Sequence, residues 1–176
     1  ELSQQFIANG MHVEFQFPQG VTCLEFVGFD AKRTLGKTTT IVEMLKGKSE
    51  LVSELPAGAV YKNLNIWVGN GVATPENIEN GVIGFKVEKA WLEEKGSDSE
   101  SVSMWRYNEG NWSELDTSQV SEDEICVYFE AKTPGFSPFS IIADGKVVSS
   151  SGSEVSDIAP LNDGSDTSAN TSSDVE

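Results

Sequence analysis

Between Met11 and Phe17 the chain alternates strictly: Val13, Phe15 and Phe17 are apolar, while His12, Glu14 and Gln16 are polar. A period of two is the pattern of a strand with one buried face. Pro18-Gln-Gly20 turns the chain, and Val21–Phe29 reads as the next strand, with Leu24 and Phe26 opposed to Cys23 and Glu25. Asp30–Lys37 is polar and reads as a loop. Thr38–Leu45 is dense in β-branched residues, which fit a pleated, half-buried surface. After a connection at Ser49–Pro56 anchored by Leu51, Val52 and Leu55, Val60–Val68 is the most regular strand: Leu64, Ile66 and Val68 face one way, Tyr61, Asn63, Asn65 and Trp67 the other.

The second half continues in the same style. Thr74-Pro75-Glu76 has the order of an N-cap, a first helical residue and an acid at the positive end of the helix dipole, which predicts one or two turns of helix stopped by Gly81. Val82–Lys89 is a strand burying Ile83, Phe85 and Val87, and Ala90–Lys95 makes a helical turn that docks Trp91 and Leu92 before Gly96. Ser101–Tyr107 and Trp112–Leu115 form a hairpin across Asn108-Glu-Gly-Asn111, residues that accept the left-handed conformation. Asp116–Glu124 reads as a polar connector. Ile125, Val127 and Phe129 lead into Thr133-Pro134-Gly135, where the missing N–H of proline and the tolerance of glycine for positive φ break the ladder. Phe136–Ile142 then runs apolar, with Phe136 and Phe139 proposed as core plugs.

About eight or nine short strands with turn signals roughly every ten residues, and one or two helical turns, predict an all-β fold: an antiparallel two-sheet β-sandwich, Ig-like in architecture. Its limits are expected at residues 11–145, after a lead-in at 1–10 from an upstream region. Beyond Val148 the composition shifts to Ser, Asp, Gly, Asn and Thr, with no Lys or Arg. Such a segment cannot bury enough apolar surface to offset its ordering entropy, so 146–176 is expected to be a disordered spacer.

The charge narrows the partners. Asp and Glu number 28 against 12 Lys and Arg, a formal charge of −16 over 176 residues. Nucleic acid is bound by clustered basic residues, so it is not an expected partner. Anionic membrane surfaces are disfavoured for the same reason. The acidity reads as a solvated, self-repelling surface, with cation binding or adaptation to salt as the other readings. No apolar run approaches the roughly 18–20 residues that span a bilayer. The first residue is Glu1 rather than Met, which leads us to expect a longer precursor.

The chemistry-bearing residues are few. His12 is the one histidine, on the polar face of its strand, so neither a His-based triad nor a zinc cluster can be built around it. Gly36-Lys37-Thr38 lacks the first glycine and the spacing of a phosphate loop. Asp123, with Glu122 and Glu124 beside it, lacks the alternating oxygen ligands of a calcium loop and reads as a charge run. With no nucleophile elbow and no paired base, no catalytic residues and no cofactor are expected. Cys23 and Cys126 fit no metal pattern. By alternation both are placed on outer faces, as free thiols or as a single bridge closing a loop of about a hundred residues and contributing roughly 4–5 kcal/mol. The Tyr61, Asn63, Asn65 and Trp67 face is the best candidate ligand surface, because aromatic rings flanked by amides suit sugar faces and hydroxyls; the alternative is that these residues cover a core edge or lie under a loop. Asn111-Trp-Ser113 and Asn170-Thr-Ser172 are N-glycosylation sequons, placed where a glycan is tolerated.

Longer motifs stand in a fixed order: Phe29-Asp-Ala-Lys-Arg33, Val60-Tyr-Lys-Asn-Leu-Asn-Ile-Trp-Val-Gly-Asn70, Ala73-Thr-Pro-Glu-Asn-Ile-Glu-Asn80, Gly84-Phe-Lys-Val-Glu-Lys89, Trp105-Arg-Tyr107 with Trp112, and Tyr128-Phe-Glu-Ala-Lys-Thr-Pro-Gly-Phe-Ser-Pro-Phe139. Over about Val13 to Ile142 the chain resembles the PGF-pre-PGF domain of archaeal cell-surface proteins, widespread in methanogens and associated with S-layer envelopes. The resemblance implies an extracellular, surface-displayed and non-catalytic module near the C-terminus of a larger protein, followed by a Ser/Thr/Asp-rich spacer and a hydrophobic sorting segment. Its partners would be the upstream domains of the same precursor and envelope proteins or polysaccharide, with no membrane contact of its own. Two function classes follow: a structural or adhesive display module, or a carbohydrate- or calcium-binding module using the Tyr61 to Trp67 face.

Overall fold

The structure is a computed structural model that describes residues 1–144, so the expected spacer and Asn170 lie outside the described residues. Numbered in chain order, one antiparallel sheet of six strands runs from edge to edge as β1 (Leu2–Ile7), β4 (Gly36–Leu45), β5 (Ala59–Val68), β11 (Pro138–Ala143), β7 (Val102–Asn108) and β8 (Asn111–Glu114). The second sheet has five: β2 (His12–Gln16), β3 (Leu24–Ala31), β6 (Ile78–Glu88), β10 (Cys126–Thr133) and β9 (Thr117–Glu122). The two pack as a sandwich. Phe15, Phe29, Phe85 and Phe129 from the five-stranded sheet meet Leu64, Ile66, Met104, Phe139 and Ile141 from the six-stranded one in a single buried cluster.

The alternation read from the sequence sets these faces. Val13 and Phe15 are buried on β2, and Ile83, Phe85 and Val87 on β6, as their period demands. Phe85 and Phe129 stack with ring centroids 5.3 Å apart. The hairpin closes as expected, with positive φ at Glu109 and Gly110, the two central positions of a type I′ turn. The short helix α1 (Lys89–Lys95) ends at Gly96 in the left-handed conformation and buries Leu92.

Eleven strands form among the described residues where fewer were expected, and the differences have physical causes. Residues 1–10 are not a lead-in: β1 pairs in register with β4 from Leu2↔Ile41 to Ile7↔Gly36, and Ile7 is buried in the core. Its polar Ser-Gln-Gln centre hides the signal, because Ile7 is the one buried side chain of this strand. The same reason conceals β9 in the expected connector, whose Thr117–Glu122 pairs with β10 and is almost entirely exposed. The helix expected after Thr74 is one turn only, closed by Asn77 and Ile78 N–H donating to Thr74 O. From Ile78 the chain joins β3 and β10, so ladder pairing overrides a local helix start.

Thr133–Ser137 carries the chain from β10 in one sheet to β11 in the other. The Thr133 hydroxyl ties the corner by donating to Gly135 O at 2.6 Å. Gly135 does not take positive φ, contrary to the expectation. The corner is closely packed: a side-chain carbon there would lie 3.2 Å from Arg106 Nη2 and 3.5 Å from Ala73 O. Phe139 is 1% exposed in the core, while Phe136 is half-buried at its rim, 6.0 Å from the Phe29 ring.

Phe139→Ala is therefore expected to cost about 3–5 kcal/mol in denaturant unfolding. A loss below about 1 kcal/mol would contradict a central role for that ring.

Candidate functional site

The regular alternation of β5 breaks at Tyr61. Opposite it the register with β11 shifts, Ile141↔Lys62 being followed by Ile142↔Val60. The bulge turns Tyr61 away from the outer face, against Trp91 with ring centroids 4.8 Å apart, and Glu88 N–H donates to its hydroxyl at 3.4 Å. Burial raises the Tyr61 pKa to about 12. Tyr61 thus fills the end of the core and does not join Asn63, Asn65 and Trp67.

The three remaining residues share the outer face of the six-stranded sheet, but they are not equally accessible. Asn63 and Asn65 are 7% and 8% exposed. The 46–57 connection lies over them, with its own Ser49 and Val52 buried. The Ser49 hydroxyl donates to Asn65 Oδ1 at 3.0 Å, and Asn65 Nδ2 and Trp67 Nε1 both donate to Glu43 Oε2 at 3.3 Å. The Ser140 hydroxyl donates to Asn63 Oδ1 at 2.9 Å. These amides are spent on holding the loop and the β5–β11 pair, as buried polar groups must be. Trp67, 42% exposed, is what remains of the sequence-predicted face.

Trp67 has company that the sequence reading did not place there. It stands opposite Ile41 on β4, which stands opposite Leu2 on β1, so three exposed apolar side chains form one row running to the sheet edge. On the near side of the 46–57 connection, Trp67 and Asn65 line a depression of about 480 Å³ with Leu45, Lys48 and Leu51. On the far side, a second depression of about 500 Å³ is lined by Trp105, Tyr107 and Trp112 with Glu54, Asn111 and Asp144. Trp105 and Tyr107 alternate on β7, and the hairpin register sets Tyr107 opposite Trp112, their rings 5.2 Å apart and tilted by 59°. Trp112 Nε1 donates to Glu54 O at 2.7 Å and Trp105 Nε1 to the Ser103 hydroxyl at 2.9 Å, so both indoles are held in place. The period-two spacing of Trp105 and Tyr107 across a predicted hairpin was the available signal. Three of the chain's four tryptophans lie on this face, in two separate depressions. Asn111 begins β8, exposed at the rim of the second depression.

The cysteines differ from expectation in burial: Cys23 is 6% and Cys126 8% exposed, and both are free thiols. Cys23 lies in the bend that precedes β3, where strand alternation does not apply, and it is buried in the core beside Leu24. Cys126 keeps to the outer side opposite Glu88, yet that spot is covered. Burial pushes the Cys23 thiol up to about 12; burial and then the Asp123 charge raise that of Cys126. Asp123 organises the β9–β10 turn: Oδ1 accepts the Ile125 and Cys126 N–H groups at 2.8 and 2.7 Å, and Oδ2 accepts the Tyr128 hydroxyl at 2.7 Å. The Cys126 N–H, the Tyr128 hydroxyl and the Ile125 N–H lower its pKa to about 2. Among the described residues no three of His, Cys, Asp and Glu gather in a metal-binding group. His12 Nδ1 lies 2.6 Å from Asp30 Oδ1 at the surface.

Comparison of the chain with protein-family models, with curated proteins and with solved structures found no match.

Two measurements follow from this geometry. Native protein should resist iodoacetamide at pH 8 and take up two equivalents only on unfolding, since the thiolate is the nucleophile; rapid native labelling would contradict the burial. Asp123 titrates lower folded than unfolded, where it lies near 3.9. It therefore stabilises the fold above about 4 and loses that contribution as the pH falls towards 2. The melting temperature of Asp123→Asn should fall less steeply than wild type across that window; parallel curves would contradict the assignment.

Proposed function

We propose that this chain is a non-catalytic, extracellular interaction module of an archaeal cell envelope, one that displays a neighbouring domain and contacts envelope polysaccharide through the outer face of its six-stranded sheet. The display role rests on the resemblance in motif order and on the Ser/Asp-rich composition of residues 146–176. The binding role is carried by one observation: Trp67, Trp105, Tyr107 and Trp112 line two open depressions on a single sheet face, on either side of the connection that covers Asn63 and Asn65. Flat, fixed rings present apolar faces to the C–H faces of sugars, and the polar groups around them suit hydroxyls. An indole anchored by its own N–H loses little freedom on binding. Calcium is the less favoured ligand, because the Asp123 oxygens already accept three hydrogen bonds.

A glycan array probed with the full chain tests the binding role. We expect retained saccharides whose affinity falls about tenfold or more in Trp105→Ala and Trp112→Ala, and is unchanged in Val120→Ala on the other sheet. Absence of any saccharide binding, or binding indifferent to both substitutions in folded protein, would refute it. Labelling of intact producer cells with a membrane-impermeant amine reagent checks the display role; protein that stays unlabelled until lysis is not on the surface.

A further inference from the structure

Four strands form the edges of the two sheets, and three of them are guarded against pairing with another chain. β8 is four residues long and ends on Glu114. β9 ends on Glu122 and bulges at Val120, where Tyr128↔Ser121 is followed by Phe129↔Gln119. β2 carries Glu14 and has the C=O of that residue taken by Gln5 Nε2 at 3.0 Å. β1 is different: Leu-Ser-Gln-Gln-Phe-Ile is uncharged, free of proline and paired with β4 without a bulge. Short length, charge and bulges are what keep edge strands from joining others, so β1 is the edge left able to pair.

The groups it offers follow from its pairing with β4. Glu1 and Val42 exchange both main-chain hydrogen bonds at 2.8 Å. Antiparallel ladders alternate, so Ser3 and Gln5 also turn their N–H and C=O towards β4, while those of Leu2, Gln4 and Phe6 point to the open side. None of the latter groups has another main-chain partner among the described residues. The side chains of the same three residues share the outer face with Ile41 and Trp67. Leu2 is 67% and Phe6 64% exposed, and Gln4 Nε2 donates to Thr39 Oγ1 at 2.7 Å, which fixes the amide beside β4.

The order apolar, amide, apolar reads the same in both directions along the strand. Turned about a two-fold axis at Gln4, a second β1 sets Leu2 opposite Phe6, Gln4 opposite Gln4 and Phe6 opposite Leu2. In that register the N–H and C=O groups of all three residues find partners, and the exposed apolar side chains cover one another. Centred on Ser3 or Gln5 instead, the pairing would set the Gln4 amide against an apolar side chain. Two copies of an acidic chain repel, but this is an uncharged part of the surface. Thr39 and Ile41 flank β1 on the same face, with Lys37 and the Trp67-bonded Glu43 at either end. More distant charges are screened beyond roughly 8 Å at physiological salt.

We propose that β1 joins two copies of this chain, pairing antiparallel about Gln4 so that the two six-stranded sheets run on as one. A second copy is favoured over a foreign strand because the edge is complementary to itself residue by residue. Both aromatic faces then lie on the same side of the joined sheet, and Phe6 of each copy extends the other's row of Leu2, Ile41 and Trp67. A polymeric saccharide would meet two sites at once, which raises avidity; that consequence alone rests on the saccharide reading.

Sedimentation equilibrium of the full chain over about a thousandfold range of concentration should show a reversible monomer–dimer equilibrium. Amide exchange followed by NMR should slow at Leu2, Gln4 and Phe6 as the dimer fills, and stay unchanged at Ser3 and Gln5, which already donate to β4. A monomer at every concentration would overturn the proposal, as would a dimer in which those three amides exchange freely. Leu2→Glu and Phe6→Lys should each weaken the dimer about tenfold or more. Combining them should regain part of the loss, since the register sets the two positions opposite each other. A dimer indifferent to either change, or a double variant no tighter than the single ones, would refute the register. Both side chains are exposed, so the variants should fold, which circular dichroism checks; the wild-type exchange pattern decides without them. None of these readouts involves a saccharide, so failure here and failure of the saccharide reading are separate results.

Discussion

The pairing of β11 between β5 and β7 is the constraint on which the other features depend. Residues 138–143 are all buried and complete the middle of the six-stranded sheet from the end of the described chain. Until they dock, β5 and β7 have no common neighbour and the core lacks Phe139 and Ile141. Both pairings span long stretches of sequence, so loop closure must be completed before they contribute. The Thr133–Ser137 corner makes the docking possible by changing sheets in a few residues, tied by the Thr133 hydroxyl and narrowed at Gly135.

That insertion also shapes the surface. Ser140 on β11 reaches Asn63 on β5, and Asn65 next along β5 reaches Ser49 in the overlying connection and Glu43 on β4. A chain of satisfied polar groups thus fastens the 46–57 connection across the sheet, and the aromatic residues on either side are left open. Buried amides of this kind cost stability when a partner is missing, which makes them a rigid seat for the loop and poor candidates for ligand contact. Rigidity here serves recognition, because rings already held by Glu43, Ser103 and Glu54 need little ordering when a ligand arrives.

The two ends of the sandwich divide between closed and open chemistry. At one, Tyr61 and Trp91 fill the space between the sheets, with Glu88 N–H on the phenol oxygen. At the other, Arg106 and Asn108 face a pocket beside the corner glycine. Much of the acidic surface consists of exposed side chains and lysine ion pairs of modest individual worth. Its role is in solubility and long-range repulsion rather than in holding the fold.

Alternation along β2, β6 and β10 was enough to assign an all-β sandwich and much of its core, because a period-two pattern encodes which face is buried. The α1 turn, the hairpin and the importance of Thr133–Phe139 were legible for the same local reasons. Edge strands β1 and β9 were not, since nearly all their side chains face solvent, whereas the edge strand β2 buries Val13 and Phe15 and so keeps its period. For the Tyr61 to Trp67 face the sequence left two readings open, a ligand surface or a core edge under a loop, and could not choose between them residue by residue. One bulge sent Tyr61 inward, one loop buried Asn63 and Asn65, and cross-strand register gathered Trp105, Tyr107 and Trp112 on the same sheet face as Trp67. The sequence by itself determined the strands' faces, which are nearest-neighbour properties; only the tertiary structure decided which faces a loop covers and which residues from distant strands meet, because bulges, register and crossovers depend on partners far along the chain.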